Sequence, residues 1–228
     1  MKLLLKARFA PEKRVIKLQI TGPGTVWNAF FKKGISPKHA RGLRQDLRRS
    51  LTAAGLAQIE RIKSHKRVPL IFIDEPLHSN ELSELRQMIR VFKNFGALVG
   101  LHVCSQRDWR GYRNLKIDLF HFDMTVYRKW KPTHRIFLRS FLKAKREIAW
   151  GVVPTVPDSD FKVRNFSSFL VGQLKRISTK DLPLKAILRR SLIAPACGMG
   201  MLRPVQSQSV YECVRRTAKN LRRELKLA

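Results

Sequence analysis

The stretch PLIFIDEPLHSNELSELRQMIRVFKNFGALVGLHVC, residues 69–104, decides the fold. It opens on a short apolar run, Pro69–Asp74, and closes on another, Ala97–Val103. Runs of this length, nearly continuous in apolar residues and bounded by turn signals, read as strands covered on both faces. Between them Leu82, Leu85, Met88, Ile89 and Phe92 recur at three- and four-residue steps. That spacing predicts a helix over 79–95 with one apolar face and Ser79 as its cap. Strand, helix, strand is the unit of a parallel sheet.

The same alternation extends outward in both directions. Val15–Thr21, Asp118–Asp123, Ile148–Val153 and Leu192–Pro195 are further apolar runs, which brings the predicted strands to six. In 36–63, Ser36 stands as an N-cap before Pro37, and Leu43, Leu47, Leu51 and Ala54 form a helical stripe. In 206–225, Val210, Val214, Leu221 and Leu225 point inward while Arg215, Arg216, Arg222 and Arg223 point out. Residues 154–190 are polar and basic, with Pro154, Pro157 and Pro183 near their ends, and carry the weakest pattern. No repeat, low-complexity tract or linker divides the chain, so 1–228 reads as one domain.

The bulk composition agrees with a packed domain. The 228 residues are 44% hydrophobic and 28% charged, values of a folded chain. Forty-seven Lys and Arg against sixteen Asp and Glu give a net charge of +31, a field that attracts polyanions. The basic residues are scattered, whereas Asp74, Glu75, Glu81, Glu84, Asp108, Asp118 and Asp123 fall in one central stretch. Three cysteines make no disulfide framework and suggest a reducing compartment. The opening MKLLLKARFAPEKR has too short an apolar core for a signal peptide, and no run approaches a membrane span. A cytoplasmic location is the expectation.

The strand ends hold the chemistry. IFIDEP (71–76) stops at Asp74 and Glu75, LHVC (101–104) carries His102 and Cys104, LFHFD (119–123) ends in Asp123, and IAPACG (193–198) carries Cys197. In a parallel β/α barrel the loops after the strand C-termini form one mouth. His102 and Cys104 are two apart and share a side of their strand. Two thiols and an imidazole suit zinc, and three protein ligands with one open position is the catalytic arrangement. The bland readings are that His-x-Cys arises by chance, that a buried Cys fills a core, and that Asp74-Glu75 is an anion pair at a helix start. Cys213, within the last helical segment, reads as packing.

Four landmarks in order, ITGPGTVWNAF (20–30), IDEP (73–76), LHVC (101–104) and APACGMG (194–200), resemble those of the cobalamin-independent methionine synthase family. That family belongs to a superfamily with uroporphyrinogen decarboxylase and the thiol methyltransferases. The resemblance covers about residues 15–225 and implies a TIM (β/α)₈-type barrel whose zinc binds an acceptor thiol. It implies His102, Cys104, Asp123 and Cys197 as metal ligands, with Asp123 standing where methionine synthases have Glu. It implies Asp74, and less directly Glu75, at the amino-acid substrate. The landmarks begin at what resembles the family's third barrel strand. An incomplete barrel of about six β/α units is therefore expected, with an open edge that invites a homo-oligomer.

The leading functional expectation is a zinc-dependent methyltransferase. Its acceptor would be a homocysteine-like thiol and its donor a methyl-folate or a methyl-corrinoid protein; the net charge would suit a polyglutamylated folate. The competing expectation is a degenerate, non-catalytic barrel that binds nucleic acid or another polyanion through basic helix faces such as Arg41, Arg44 and Arg48. Against it, no RNA-binding signature is present, and Trp109, Tyr112, Tyr127 and Trp130 read as surface packing rather than base platforms. A third reading, a metal-free decarboxylase-like relative, is opposed by the presence of both Cys104 and Cys197.

Overall fold

The computed structural model describes residues 15–31, 37–76, 82–104, 109–126, 130–155 and 165–224, without the side chains of 30, 31, 37–41 and 224. Ser36 and Ser79, expected as caps, lie outside the described residues, as do Glu81, Asp108, Tyr127, Pro157, Leu225 and the side chain of Arg41.

The six apolar runs form β1 (Val15–Thr21), β2 (Val68–Asp74), β3 (Leu98–Val103), β4 (Leu119–Asp123), β5 (Glu147–Val153) and β6 (Ser191–Pro195). They lie side by side in chain order, and every neighbouring pair is parallel. The connections carry α1 (Pro23–Phe31), α2 (Pro37–Ser64), α3 (Ser83–Asn94), α4 (Pro132–Lys143), α5 (Phe166–Lys175) and α6 (Leu184–Leu188), and α7 (Pro204–Glu224) follows β6. Crossovers that each step to the next position with the same hand place their helices on one face. The sheet curls away from them into a half-barrel. Among the described residues β1 pairs with β2 alone and β6 with β5 alone.

Strand register sorts the side chains into two layers. One layer faces the helices and holds Ile20, Ile73, Leu101, Phe120 and Ile148 side by side in the main apolar cluster. The other layer lines the inside of the curl. Its central row runs Thr21, Asp74, His102, His121, Ala149 and Leu192 across the six strands. Below it only a small apolar patch forms, around Phe72, Leu119 and Ala149.

Helix packing follows the sequence periodicity with one correction. Ala54 is exposed; the buried face of α2 passes instead through Thr52, Gly55, Ile59 and Ile62. Gly55 serves close approach, since a Cβ there would sit 2.5 Å from the ring of Phe92 on α3. In α3, Leu85, Met88, Ile89 and Phe92 are buried as the spacing predicts. In α7, Val210 and Leu221 are buried and Val214 half-buried, while Arg215, Arg216, Arg222 and Arg223 are exposed.

Three of the four aromatic residues expected at the surface are core residues, and the fourth, Tyr127, lies outside the described residues. Trp109, Tyr112 and Trp130 are all buried. Trp109 packs among Phe120, Phe122, His134 and Phe137, and Trp130 stacks on Trp150. Burial there removes them as stacking platforms for bases. Cys213 is buried in α7, as its packing role requires. The polar stretch after β5 still yields a helix, because Asn165 accepts from the Ser168 N–H and Phe166, Leu170 and Leu174 are buried.

Candidate metal centre

His102 stands near the end of β3 and is buried; Cys104 follows it by two residues and is half-buried. The strand period brings both side chains to the inner face. Cys197 arrives from beyond β6 and is also half-buried. The Cys104 Sγ lies 2.8 Å from His102 Nε2 and 3.4 Å from Cys197 Sγ, and Cys197 Sγ lies 3.7 Å from His102 Nε2. All three ligand atoms fall within 4.8 Å of one another, so the cluster could hold one metal ion.

The sulfurs behave as a pair. Hydrogen bonds from the Cys104 thiol and from His102 pull the Cys197 thiol down to about 4. The same contact with Cys197, then burial, pushes Cys104 far up. Each thiol's acidity is set by the other, Cys197 lowered and Cys104 raised. A thiolate beside an imidazole is the form in which cysteine acts as a ligand or nucleophile. The Nδ1 of His102 is buried with no hydrogen-bond partner among the described residues.

Two of the expected carboxylates lie at the rim of this cluster. Asp74 is the register partner of His102 and accepts a hydrogen bond from the Gln19 amide. Lys17 Nζ donates to Gln19 Oε1 at 2.9 Å, which makes a Lys17–Gln19–Asp74 chain along the inner face. Burial raises the Asp74 carboxyl above its usual value, against the pull of His102, Gln19 and Lys17. Burial lowers Lys17, against the attraction of Asp74. Asp123 ends β4 and lies outside the group of three close ligands. Its Oδ1 accepts from Thr125 N at 2.7 Å and Thr125 Oγ1 at 2.6 Å, a turn-forming role.

Glu75 has a different setting from its neighbour. One residue beyond Asp74, its carboxylate meets the first turn of α1. It accepts from Gly24 N at 2.9 Å, Thr25 N at 2.8 Å and Thr25 Oγ1 at 2.8 Å. A carboxylate at a helix N-terminus satisfies N–H groups that have no partner within the helix and suits the dipole. Gly22 makes room for it, since a Cβ at that position would lie 2.3 Å from the carboxylate. The helix-start reading of Glu75 thus describes its contacts, while Asp74 lies beside the thiols.

Sequence reasoning passed over His121, Gln19 and Lys17. His121 lies in the same cross-strand row as Asp74 and His102, its ring centroid 4.5 Å from that of His102. Burial, and secondarily His102, holds it down to about 3, so it is neutral. The signal was present in LFHFD, where period two puts His121 on the side of Asp123. A scan of the chain against protein-family models finds no match, and no characterised protein matches its sequence. No helix among the described residues is long and apolar enough to cross a membrane.

Proposed function

We propose that the chain is a zinc-dependent methyltransferase of the methionine synthase type, moving a methyl group to a thiol. One observation carries this reading: two thiols and an imidazole, from the ends of β3 and β6, converge at the C-terminal mouth of a half-barrel. The donor set and its spacing fit zinc. Tetrahedral bonds of about 2.3 Å to sulfur and about 2.0 Å to nitrogen put sulfurs about 3.8 Å apart and sulfur and nitrogen about 3.5 Å apart. Two of the observed separations, 3.4 and 3.7 Å, are within a few tenths of those values. The 2.8 Å between Cys104 and His102 must open on binding.

His102, Cys104 and Cys197 would hold the zinc, which would supply the Lewis acidity that keeps an incoming thiol ionised at neutral pH. The acceptor sulfur then forms a bond to the methyl carbon as the methyl–donor bond breaks, its electron pair staying on the donor. In this reading Asp74, beside the thiols, receives the ammonium group of an amino-acid acceptor. Asp123 borders the site as a negative group near Cys104. The donor is a methyl-folate or a methyl-corrinoid protein. The assay is thiol methylation with each donor: turnover in the native chain and none in Cys104→Ser supports the reading. Equal turnover in both sinks it.

A second reading rests on the charge of +31 and the exposed Arg215, Arg216, Lys219, Arg222 and Arg223 of α7. In it, the half-barrel is a scaffold that binds nucleic acid or another polyanion. Any chain this basic binds polyanions at low salt, and such binding falls steeply as salt rises. Tight, sequence-selective binding at physiological salt, without methyl transfer from any donor, would favour it.

A further inference from the structure

Cys197 lies two residues past the end of β6, and little of the sheet ladder reaches it. Pro195 has no N–H to give. The β5–β6 register slips between Gly151 and Val153, so that Gly151 pairs with Ala194 and Val153 with Pro195. Past Pro195, the Ala196 N–H donates to Val153 O at 2.7 Å. A second tie comes from two strands away, where His121 Nε2 on β4 lies 3.0 Å from the Pro195 carbonyl oxygen. A carbonyl only accepts, so this contact requires the hydrogen of His121 on Nε2.

Strand β5 lies between these partners, and the imidazole passes over it at Gly151. A Cβ at Gly151 would lie 2.6 Å from Phe122 O, 2.9 Å from Ala196 Cα and 3.1 Å from His121 Nε2. Glycine leaves the gap that the ring uses. The ring is held on its other sides by His102 and by an edge contact with Phe72, at 6.3 Å between centroids.

We propose that His121 is a positioning residue: its Nε2–H, reaching across Gly151 to the Pro195 carbonyl, sets the place of Cys197 against Cys104 and His102. The anchored carbonyl is two residues before Cys197, so losing the bond lets the sulfur drift from its partners. The inference deepens the zinc reading and rests on it for the metal measurement alone.

The test therefore uses two readouts. In the first, metal-free protein is equilibrated with glutathione disulfide. The Cys104 and Cys197 thiols are oxidised to a disulfide as one glutathione disulfide is reduced to two thiols. The equilibrium constant reports how often one sulfur stands at the other. His121→Phe keeps a ring and removes the donor, whereas His121→Gln offers an amide N–H near the same position. The constant is expected to fall about tenfold in His121→Phe and to stay within about threefold of the native value in His121→Gln. His121→Leu, which also removes the donor and adds no atom at Ala196, carries the same expected fall if His121→Phe does not fold. In the second readout, cobalt(II) absorption titrations should show binding weakened about 10- to 100-fold in His121→Phe. If the native chain binds no cobalt, the zinc reading fails, and the exchange constant still judges His121. A native exchange constant in folded His121→Phe or His121→Leu overturns the proposal.

Discussion

The two faces of the sheet are built to different rules. Toward the helices, Ile71, Ile73, Val99, Leu101, Phe120 and Phe122 are buried in a continuous apolar layer. On the inner face the same strands present Asp74, His102, His121 and Asp123 near their C-terminal ends, with Lys17 and Gln19 of β1 beside them. Nearer the other end, Val15, Val68 and Leu98 remain exposed. One face supplies the burial that stabilises the fold, and the other holds groups whose desolvation costs stability but alters their acidity. Chemistry sits on the face that stability does not require.

Substitutions on the two faces should therefore differ most in unfolding free energy. Phe120 is fully buried among Trp109, Phe137 and Phe141. Phe120→Ala is expected to cost about 3–5 kcal/mol in urea denaturation. A cost under half of that would show the helix-side layer to be loosely packed. Glu75→Ala comes next, at about 1–3 kcal/mol, because it leaves the first-turn donors of α1 without their acceptor. Unchanged stability would mean that water replaces the carboxylate without loss.

Leu192, on the inner face, is 42% exposed, and Leu192→Ala should change stability by about 0.5 kcal/mol or less. A loss as large as that of Phe120→Ala would show that another molecule, such as a second copy, covers the inner face in solution. The smallest effect is electrostatic. The hydrogen bond and ion pair with Lys143, then Thr179, hold the exposed Asp181 carboxyl down to about 2, below its usual 3.8. A depressed carboxyl stabilises the fold above its ordinary value and loses that contribution as pH falls through its folded one. Acid titration of stability in Asp181→Asn should accordingly be flatter between about pH 4 and 2 than in the native chain. Identical curves would leave the ion pair without a part in stability.

Much of this division was legible in the amino-acid order. Apolar runs of five to seven residues announce strands because parallel strands are covered on both sides, and His102 and Cys104 share a face through the two-residue period. Other features depend on relations that sequence does not display. The tie from His121 to Pro195 exists because Gly151, on the strand between them, lacks a side chain. Asp74 and Glu75 look alike in IDEP, yet adjacent strand positions point to opposite faces. One therefore joins the thiols and the other caps α1. Ala54, expected on the apolar stripe of α2, is exposed for a related reason: Gly55, the smaller residue, is the one that α3 approaches.

The most direct test of the account is the metal content of the full-length chain purified without chelators. About one zinc per chain is expected in the native protein and close to none in Cys104→Ser or Cys197→Ser of unchanged fold, because thiolates dominate such sites. Native protein that carries no metal and takes up none when zinc is supplied would contradict it.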